Sequence, residues 1–358
     1  MAVVAPSMEI SAGECTFNPM IPVSIVILNW NGLTYLERFI PVLESCTPPE
    51  QGQIVVADNG STDGSLKWLE EAHPGIRLID LGQNHGYAGG YNLALEQIET
   101  PYAVLLNSDV EVTPGWLAPL LSLMDDSGVG AAMPKIRSHA ERNRFEYAGA
   151  AGGWIDRYGF PFCKGRIFNK IEEDTGQYEA RGQVFWASGA CMMVRMDAFR
   201  KAGEFDASFF AHMEEIDLCW RMHALGYTIW FEPSSVVYHV GGGTLPNEHP
   251  RKIYLNFRNN LLLLRKNLPR NRRRRVLFAR MLFDGVAALK YLFEGKPRFF
   301  AAVLRAHRDF YQKAMRMGKP ETGLQVANPD TYPGWFNRSI VVEFFLLGRK
   351  RFSDLDQR

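Results

Sequence analysis

Between residues 23 and 107 the chain alternates short apolar runs with amphipathic stretches, and this alternation limits its fold more than any other feature. The runs 23–28, 54–58, 76–80 and 103–107 read as buried strands. Residues 35–44, 65–72 and about 91–98 carry helical periodicity between them, the last opened by Gly86 to Gly90. Strands that alternate with helices of about 10–15 residues predict a mostly parallel α/β sheet with helices on both faces. Ligands of such sheets bind beyond the carboxyl ends of the strands. The runs stop on polar residues there: Asn29-Trp30-Asn31-Gly32, Asp58-Asn59-Gly60 and Asn107-Ser108-Asp109. Three strands thus deliver polar groups to one rim.

At 358 residues, 46% hydrophobic and 22% charged, the chain has room for a large core and is not disordered. Five scattered cysteines (Cys15, Cys46, Cys163, Cys191, Cys219) form no C-x-x-C pair, which suits a reducing compartment rather than a disulfide framework. Residues 1–20 read as a loose leader without a signal-peptide pattern, and no apolar run is long enough to span a bilayer. The expected location is cytoplasmic. The net charge of +1 conceals an asymmetry. Residues 1–244 hold 16 Lys/Arg against 30 Asp/Glu, whereas residues 245–358 hold 24 against 9. A domain over 21–244 and a basic, mostly helical region over 245–358 are therefore expected. The cluster Arg265, Lys266, Arg270, Arg272, Arg273, Arg274 and Arg275 contains no acid, and apolar helical segments flank it. Peripheral contact with an anionic membrane surface is the expectation. Nucleic acid is the weaker alternative, because no recognition motif accompanies the charge.

Individual motifs suggest chemistry. Asn107 and Asp109 at a strand end can hold a hard cation and a polar ligand, and Mg²⁺-type ions need few protein carboxylates. Asp58 can accept a hydrogen bond from a pyrimidine N–H, while Asp63 or Ser65 can cap the next helix. The run from Gly86 through Gly89 to Asn92 permits close backbone approach to a ligand, and a helix N-terminus attracts phosphate. Residues 209–227 read as a helix with apolar residues at Met213, Ile216, Trp220 and Ala224, and Glu214, Glu215 and Asp217 lie near its start, where acids also complement the dipole. Residues 215 and 217 lie about 200° apart on a helix, so a lone base fits better than a dyad, with Asp217 free to pair with Arg221. His239 ends an apolar strand beside glycines and is read as either structural or a metal ligand.

Taken together, residues 23–32, 58–65, 84–92, 105–109, 186–195, 205–226 and 239–244 resemble the family 2 glycosyltransferases, in the rhamnosyltransferase and galactofuranosyltransferase branch. The resemblance covers roughly residues 22–265. It implies a GT-A fold, a UDP- or dTDP-sugar donor, a divalent metal (Mg²⁺ or Mn²⁺) and inversion at the anomeric carbon. It implies that Asn29, Trp30, Asn31, Asp58, Asn84, Gly89, Asn92, Asn107, Ser108 and Asp109 bind the donor. Asp109 and His239 would hold the metal. Trp186, Ser188, Gly189, Ala190 and Glu214 would line the sugar and acceptor pocket. Glu215 would be the base, with Glu214 and Asp217 as neighbouring alternatives. Two positions depart from the family pattern: Asn107 replaces the first Asp of the D-x-D motif, and Glu215 stands where Asp is usual. The implied activity is transfer to a hydroxyl of a glycan or lipid-linked glycan in cell-surface polysaccharide synthesis. A nucleotidyltransferase would need a basic Gly-rich loop after the first strand, which Asn29-Trp30-Asn31-Gly32 is not. A non-catalytic carbohydrate- or membrane-binding protein would not need Asp109, Glu215 and His239 together.

Overall fold

The computed structural model describes residues 22–241, 249–316 and 328–355. The leader over 1–20 and the boundary at 244–245 lie outside the described residues. The alternation is realised as β1 (Val23–Asn29), α1 (Leu33–Cys46), β2 (Gly52–Asp58), α2 (Ser65–Ala72), β3 (Arg77–Asp80), α3 (Gly86–Glu96) and β4 (Tyr102–Asn107). β5 (Val110–Val112), α4 (Leu117–Leu123) and β6 (Val129–Ser138) follow. Next come β7 (Gly153–Asp156), β8 (Pro161–Cys163), β9 (Arg166–Ile167), β10 (Lys170–Ile171), β11 (Gly182–Gln183), β12 (Cys191–Arg195), α5 (Met196–Lys201), α6 (Glu214–Ala224) and β13 (Thr228–His239). α7 (Pro250–Asn267), α8 (Arg270–Phe293), α9 (Pro297–Arg316) and β14 (Trp335–Phe336) lie in the C-terminal region.

The main sheet has the order β11-β13-β6-β12-β4-β1-β2-β3, with β5 paired to β13. β3, β2, β1 and β4 run parallel, and β12 is antiparallel to β4. The direction of winding reverses between β1 and β4, which is where doubly wound sheets bind ligands. Register sets the rim. Asn29 stands opposite Asp58, Leu28 opposite Asn107, and Asp58 opposite Asp80. Val23, Ile25, Val26, Val55, Val56, Val104 and Leu105 are buried in this block, as expected where helices cover both faces of a parallel sheet. α1 covers it with Leu36, Phe39, Ile40 and Leu43, spaced for one helical face. The sheet, its flanking helices and the C-terminal helices form a GT-A fold.

Three local outcomes differ from the sequence reading. First, α3 begins at Gly86 rather than near Tyr91. Its glycines admit close packing: a Cβ at Gly90 would lie 2.8 Å from Leu28, and one at Gly86 would lie 2.6 Å from the Phe210 ring. Contact here outweighs the poor helix propensity of glycine. Second, residues 183–194, an apolar run that reads as a strand with a tight Ser-Gly-Ala section, are not one strand. β11 and β12 flank an irregular stretch in which Ser188 Oγ accepts from the Ala190 N–H. Third, the helix expected from Phe209 starts only at Glu214, because the preceding residues adopt a left-handed backbone.

A second sheet, β10-β9-β8-β7-β14, joins the C-terminal segment to the body. β14 pairs with β7, and Phe162, Ile167, Phe336, Ile340, Phe344 and Phe352 form its core. α7 also packs on the body, where Lys266 and Asn267 reach Asp217 at 2.9 and 2.7 Å. Among the described residues, no helix is long and apolar enough to cross a membrane.

Candidate active site

The rim at the tips of β1 and β2 is a hydrogen-bond network that leaves one buried atom, Asn29 Oδ1, without a partner. Asn29 Nδ2 donates to Asp58 Oδ1 (3.0 Å) and to Ser61 Oγ (3.1 Å). The Ser61 N–H donates to Asp58 Oδ2 (2.8 Å), and the Asn31 N–H to Ser61 Oγ (2.9 Å). Asn31 Oδ1 accepts from the Thr62 N–H (2.7 Å). Asn84 Oδ1 caps the Gly86 N–H (2.8 Å), and Asn59 Oδ1 receives the His85 N–H (2.9 Å). Asp58 is buried and each of its oxygens takes one of these bonds, but a carboxylate oxygen has capacity for more than one, so it can still receive a ligand donor. Trp30 projects above this network, 43% exposed. Gly32 marks the crowding at the crevice: a Cβ there would lie 2.5 Å from Asn29 Oδ1 and 3.3 Å from Ser108 Oγ. The tips of β1 and β4 therefore meet, as the switch point requires.

Asp109 lies in the turn between β4 and β5, so strand alternation does not set its direction. The β5–β13 ladder does, because it places His239 opposite Val110. His239 Nε2 then sits 3.1 Å from Asp109 Oδ1, and its Nδ1 sits 3.0 Å from Glu146 Oε2. Burial would depress the His239 imidazole, but Glu146 and Asp109 together hold it up to about 10. Burial also opposes ionisation of both carboxylates, and His239 overrides it, so Asp109 and Glu146 titrate below their ordinary values. Glu146 carries no motif in the sequence. Gly241 keeps room for it, since a Cβ there would lie 2.8 Å from Glu146 Oε1.

These residues fit the divalent cation that the fold family implies. Two hard donors at 3.1 Å match neighbouring ligands of an octahedron with bonds of roughly 2.1 Å. A ligating histidine commonly gives its second ring N–H to a carboxylate, and Glu146 stands in that place. Among the described residues, no group of three or more His, Cys, Asp or Glu side chains forms a complete metal cage.

The acid-bearing segment is built differently. Phe210, His212 and Met213 have φ of 68°, 71° and 75°, left-handed values that non-glycine residues rarely adopt. One amide spans three carbonyls of the loop: Asn259 Nδ2 lies 3.0, 2.8 and 2.8 Å from those of Phe209, Ala211 and His212, while the Tyr87 N–H donates to the Phe210 carbonyl at 2.7 Å. The loop delivers Glu214 and Glu215, whose Oε2 atoms are shielded from solvent and have no hydrogen-bond partner. Burial raises Glu215 to about 7, with backbone N–H groups of α6 pulling the other way. Burial and then the charge of Glu215 push Glu214 well above the carboxylate range. Asp217 is committed elsewhere. Arg221, Lys266 and Asn267 surround it and keep it ionised.

Tyr87 connects the two halves. Its hydroxyl donates to the Gly189 carbonyl at 2.6 Å, and after burial and Tyr91, Glu214 and Glu215 add to the rise of its phenol. A Cβ at Gly189 would lie 2.7 Å from that hydroxyl. Ser188 and Ala190 form the buried turn beside it. Trp186 lies beneath this turn rather than in it, buried over Gly153 with Nε1 bonded to the Trp154 carbonyl (2.9 Å). Asn92 braces Phe205 through both ends of its amide, and Gly89 sits inside α3 against His85. The Asn107 N–H donates to the Ala190 carbonyl at 3.0 Å, tying the β4 tip to the turn.

The model of the family described as Glycosyl transferase family 2 matches residues 24–203. The chain belongs to this family. Like its relatives, this family 2 member is a glycosyltransferase. It is similar to the N-acetylglucosaminyl-diphospho-decaprenol L-rhamnosyltransferase of Mycobacterium tuberculosis, 28% identical over 60% of this chain and 75% of that protein. It is also similar to the low-salt glycan biosynthesis hexosyltransferase Agl10 of Haloferax volcanii, 24% identical over 83% of this chain and 93% of that protein. Among solved structures, S. aureus TarS 1-349 in complex with UDP-GlcNAc shares the fold. Its TM-score is 0.53 at 15% identity, covering 81% of this chain and 80% of that one. GalNAc-T7 with UDP, GalNAc and Mn2+ gives 0.50 at 17% identity over 65% of this chain, which spans about half (48%) of that protein.

Proposed function

We propose that this glycosyltransferase is an inverting, metal-dependent enzyme that uses a UDP- or dTDP-sugar. Its acceptor is a hydroxyl of a glycan or lipid-linked glycan in cell-surface polysaccharide synthesis, at the cytoplasmic face of a membrane. The observation that carries this reading is Glu215. It is a largely buried carboxylate with an unpartnered oxygen, raised to about 7, next to the Tyr87–Gly189 contact. A base is most effective when its pKa lies near the working pH. Burial and the neighbouring charge of Glu215 raise Glu214, and Asp217 is paired with Arg221 and Lys266, so Glu215 is the one of the three acids that suits the base of a single displacement.

In this reading Asp58 receives the pyrimidine N–H, and Trp30 covers the base. Asn29, Asn31, Asn84 and Ser108 shape the crevice at the β1–β4 switch point, while Gly89 and Asn92 shape and brace the helix beside it. A divalent cation held by Asp109 and His239 would supply positive charge against the leaving diphosphate. Glu146 orients His239 for that ligation. Gly189 and Ala190, supported by Trp186, form the wall facing the sugar. Glu215 takes the proton of the acceptor hydroxyl as that oxygen attacks the anomeric carbon from the side opposite the diphosphate. The relatives support the acceptor class: one is named for transfer to a diphospho-decaprenol-linked sugar and another for glycan biosynthesis.

The test is donor turnover with a panel of UDP- and dTDP-sugars, with and without Mn²⁺, alongside ¹H NMR of the product anomer. Metal-dependent transfer with inverted configuration is expected. A retained configuration, or equal rates in chelator, would overturn the reading.

A further inference from the structure

We infer that the outward face of α8 is a docking surface for an anionic lipid bilayer. This deepens the membrane reading above and rests on it only for the choice of lipid. The polarity of α8 is inverted. Its charged pair, Arg280 and Asp284, faces the protein: Arg280 Nε bonds Asp284 Oδ1 at 2.8 Å, and Asp284 Oδ2 meets His307 at 3.1 Å. Arg280 also lies over the Phe160 ring at 3.8 Å, fixing the helix to the body. The opposite side carries Phe278, Leu282, Val286, Leu289 and Phe293, all exposed, with Phe293 at 86% and Phe278 and Val286 at 67%. Their steps of four, four, three and four residues keep them on one stripe, about 22 Å long at 1.5 Å per residue. Soluble helices place charge on this side, and a contiguous apolar stripe in water marks an interaction site.

Charge selects the occupant. Arg270, Arg274 and Arg275 are exposed at the start of the same helix, and none pairs with a described carboxylate. A second copy docked stripe to stripe would offer these three arginines apolar side chains, more arginines and at most one carboxylate, Glu294, which already pairs with Lys290 at 3.2 Å. An anionic bilayer supplies both halves of the match, acyl chains for the stripe and phosphates for the guanidinium groups. An apolar face with basic residues beside it is the pattern of a helix lying in the interface plane. Each basic residue near such a surface also adds to the attraction.

The experiment is co-sedimentation of the full chain with vesicles of phosphatidylcholine alone and with added phosphatidylglycerol. The variants are Leu282→Ser/Val286→Ser/Phe293→Ser and Arg270→Gln/Arg274→Gln/Arg275→Gln. Donor hydrolysis in solution and mass by light scattering are measured in parallel. The chain should bind the anionic vesicles. The apolar variant should lose at least tenfold in partitioning, and the arginine variant should lose the preference for phosphatidylglycerol. Donor hydrolysis should be unchanged in both, which separates this face from the catalytic reading. Vesicle binding unaffected by the apolar variant would overturn the assignment. So would failure of the parent chain to bind, or a parent dimer that the apolar variant turns into a monomer.

Discussion

The two sides of the site solve opposite problems. On the rim assigned above to the donor by proposal, Asn29, Asp58, Ser61, Asn31, Asn59 and Asn84 bond to one another or to backbone at 2.7–3.4 Å. On the acid side, three left-handed non-glycine residues precede two carboxylates whose outer oxygens have no partner. Such strain and desolvation persist only where surrounding structure imposes them. Here that structure is α7, through Asn259. The difference is one of degree: the rim leaves one buried polar atom, Asn29 Oδ1, without a partner, whereas the acid side leaves a carboxylate oxygen unpartnered on each of two adjacent glutamates.

Glu215→Gln should break the comparison most sharply. Transfer should fall by about 10²–10⁴-fold, the usual contribution of a positioned base, while donor affinity by titration calorimetry stays close to the parent. The same substitution should raise stability. Glu215 titrates near 7 in the fold against an ordinary 4.5, so the folded state favours its proton. That advantage is full below about 4.5 and is lost as pH rises through 7. Glutamine cannot ionise, so above pH 7 the variant should gain on the order of 3 kcal/mol over the parent. Melting curves at pH 5 and pH 8 would show a gap opening with pH, and equal melting temperatures at pH 8 would refute it. Parent kcat should climb through about pH 7.

Glu146→Gln acts through His239 and should weaken Mn²⁺ binding in the presence of UDP by about 10–100-fold, read by electron paramagnetic resonance of free Mn²⁺. Unchanged affinity would remove Glu146 from the cation site. Asn259→Ala should release the acid-bearing loop, costing about 1–3 kcal/mol of stability. It should lower kcat more than it raises KM, whereas a purely structural role would leave kcat of the folded fraction intact. Trp30→Ala is the mildest. It should weaken UDP binding by about 1 kcal/mol without affecting the kcat pH profile, and a change in that profile would blur the division between the two sides.

The legible parts of the molecule were those written in local period. The strand tips at Asn29, Asp58 and Asn107 follow from apolar runs, and adjacent strands of a parallel block bring them together by register. Pairing of Asp217 with Arg221 followed from their helical spacing. The second sheet was not legible, because β14 pairs with β7 across about half the chain and both strands are very short. Glu146 was invisible for a similar reason. It lies in coil between β6 and β7 and becomes a neighbour of His239 only through long-range ladder pairing. The late start of α6 was hidden because left-handed backbone at Phe210, His212 and Met213 contradicts the preferences of those residues, and a packed tertiary contact imposes it.

An anomalous difference map from a crystal grown with UDP and Mn²⁺ tests the central claim most directly. The account predicts one manganese peak touching both Asp109 and His239, with the diphosphate against it, the uracil at Asp58, and Glu215 facing the vacant sugar position. A peak that misses either ligand, or a nucleotide bound away from the β1–β4 crevice, would contradict it.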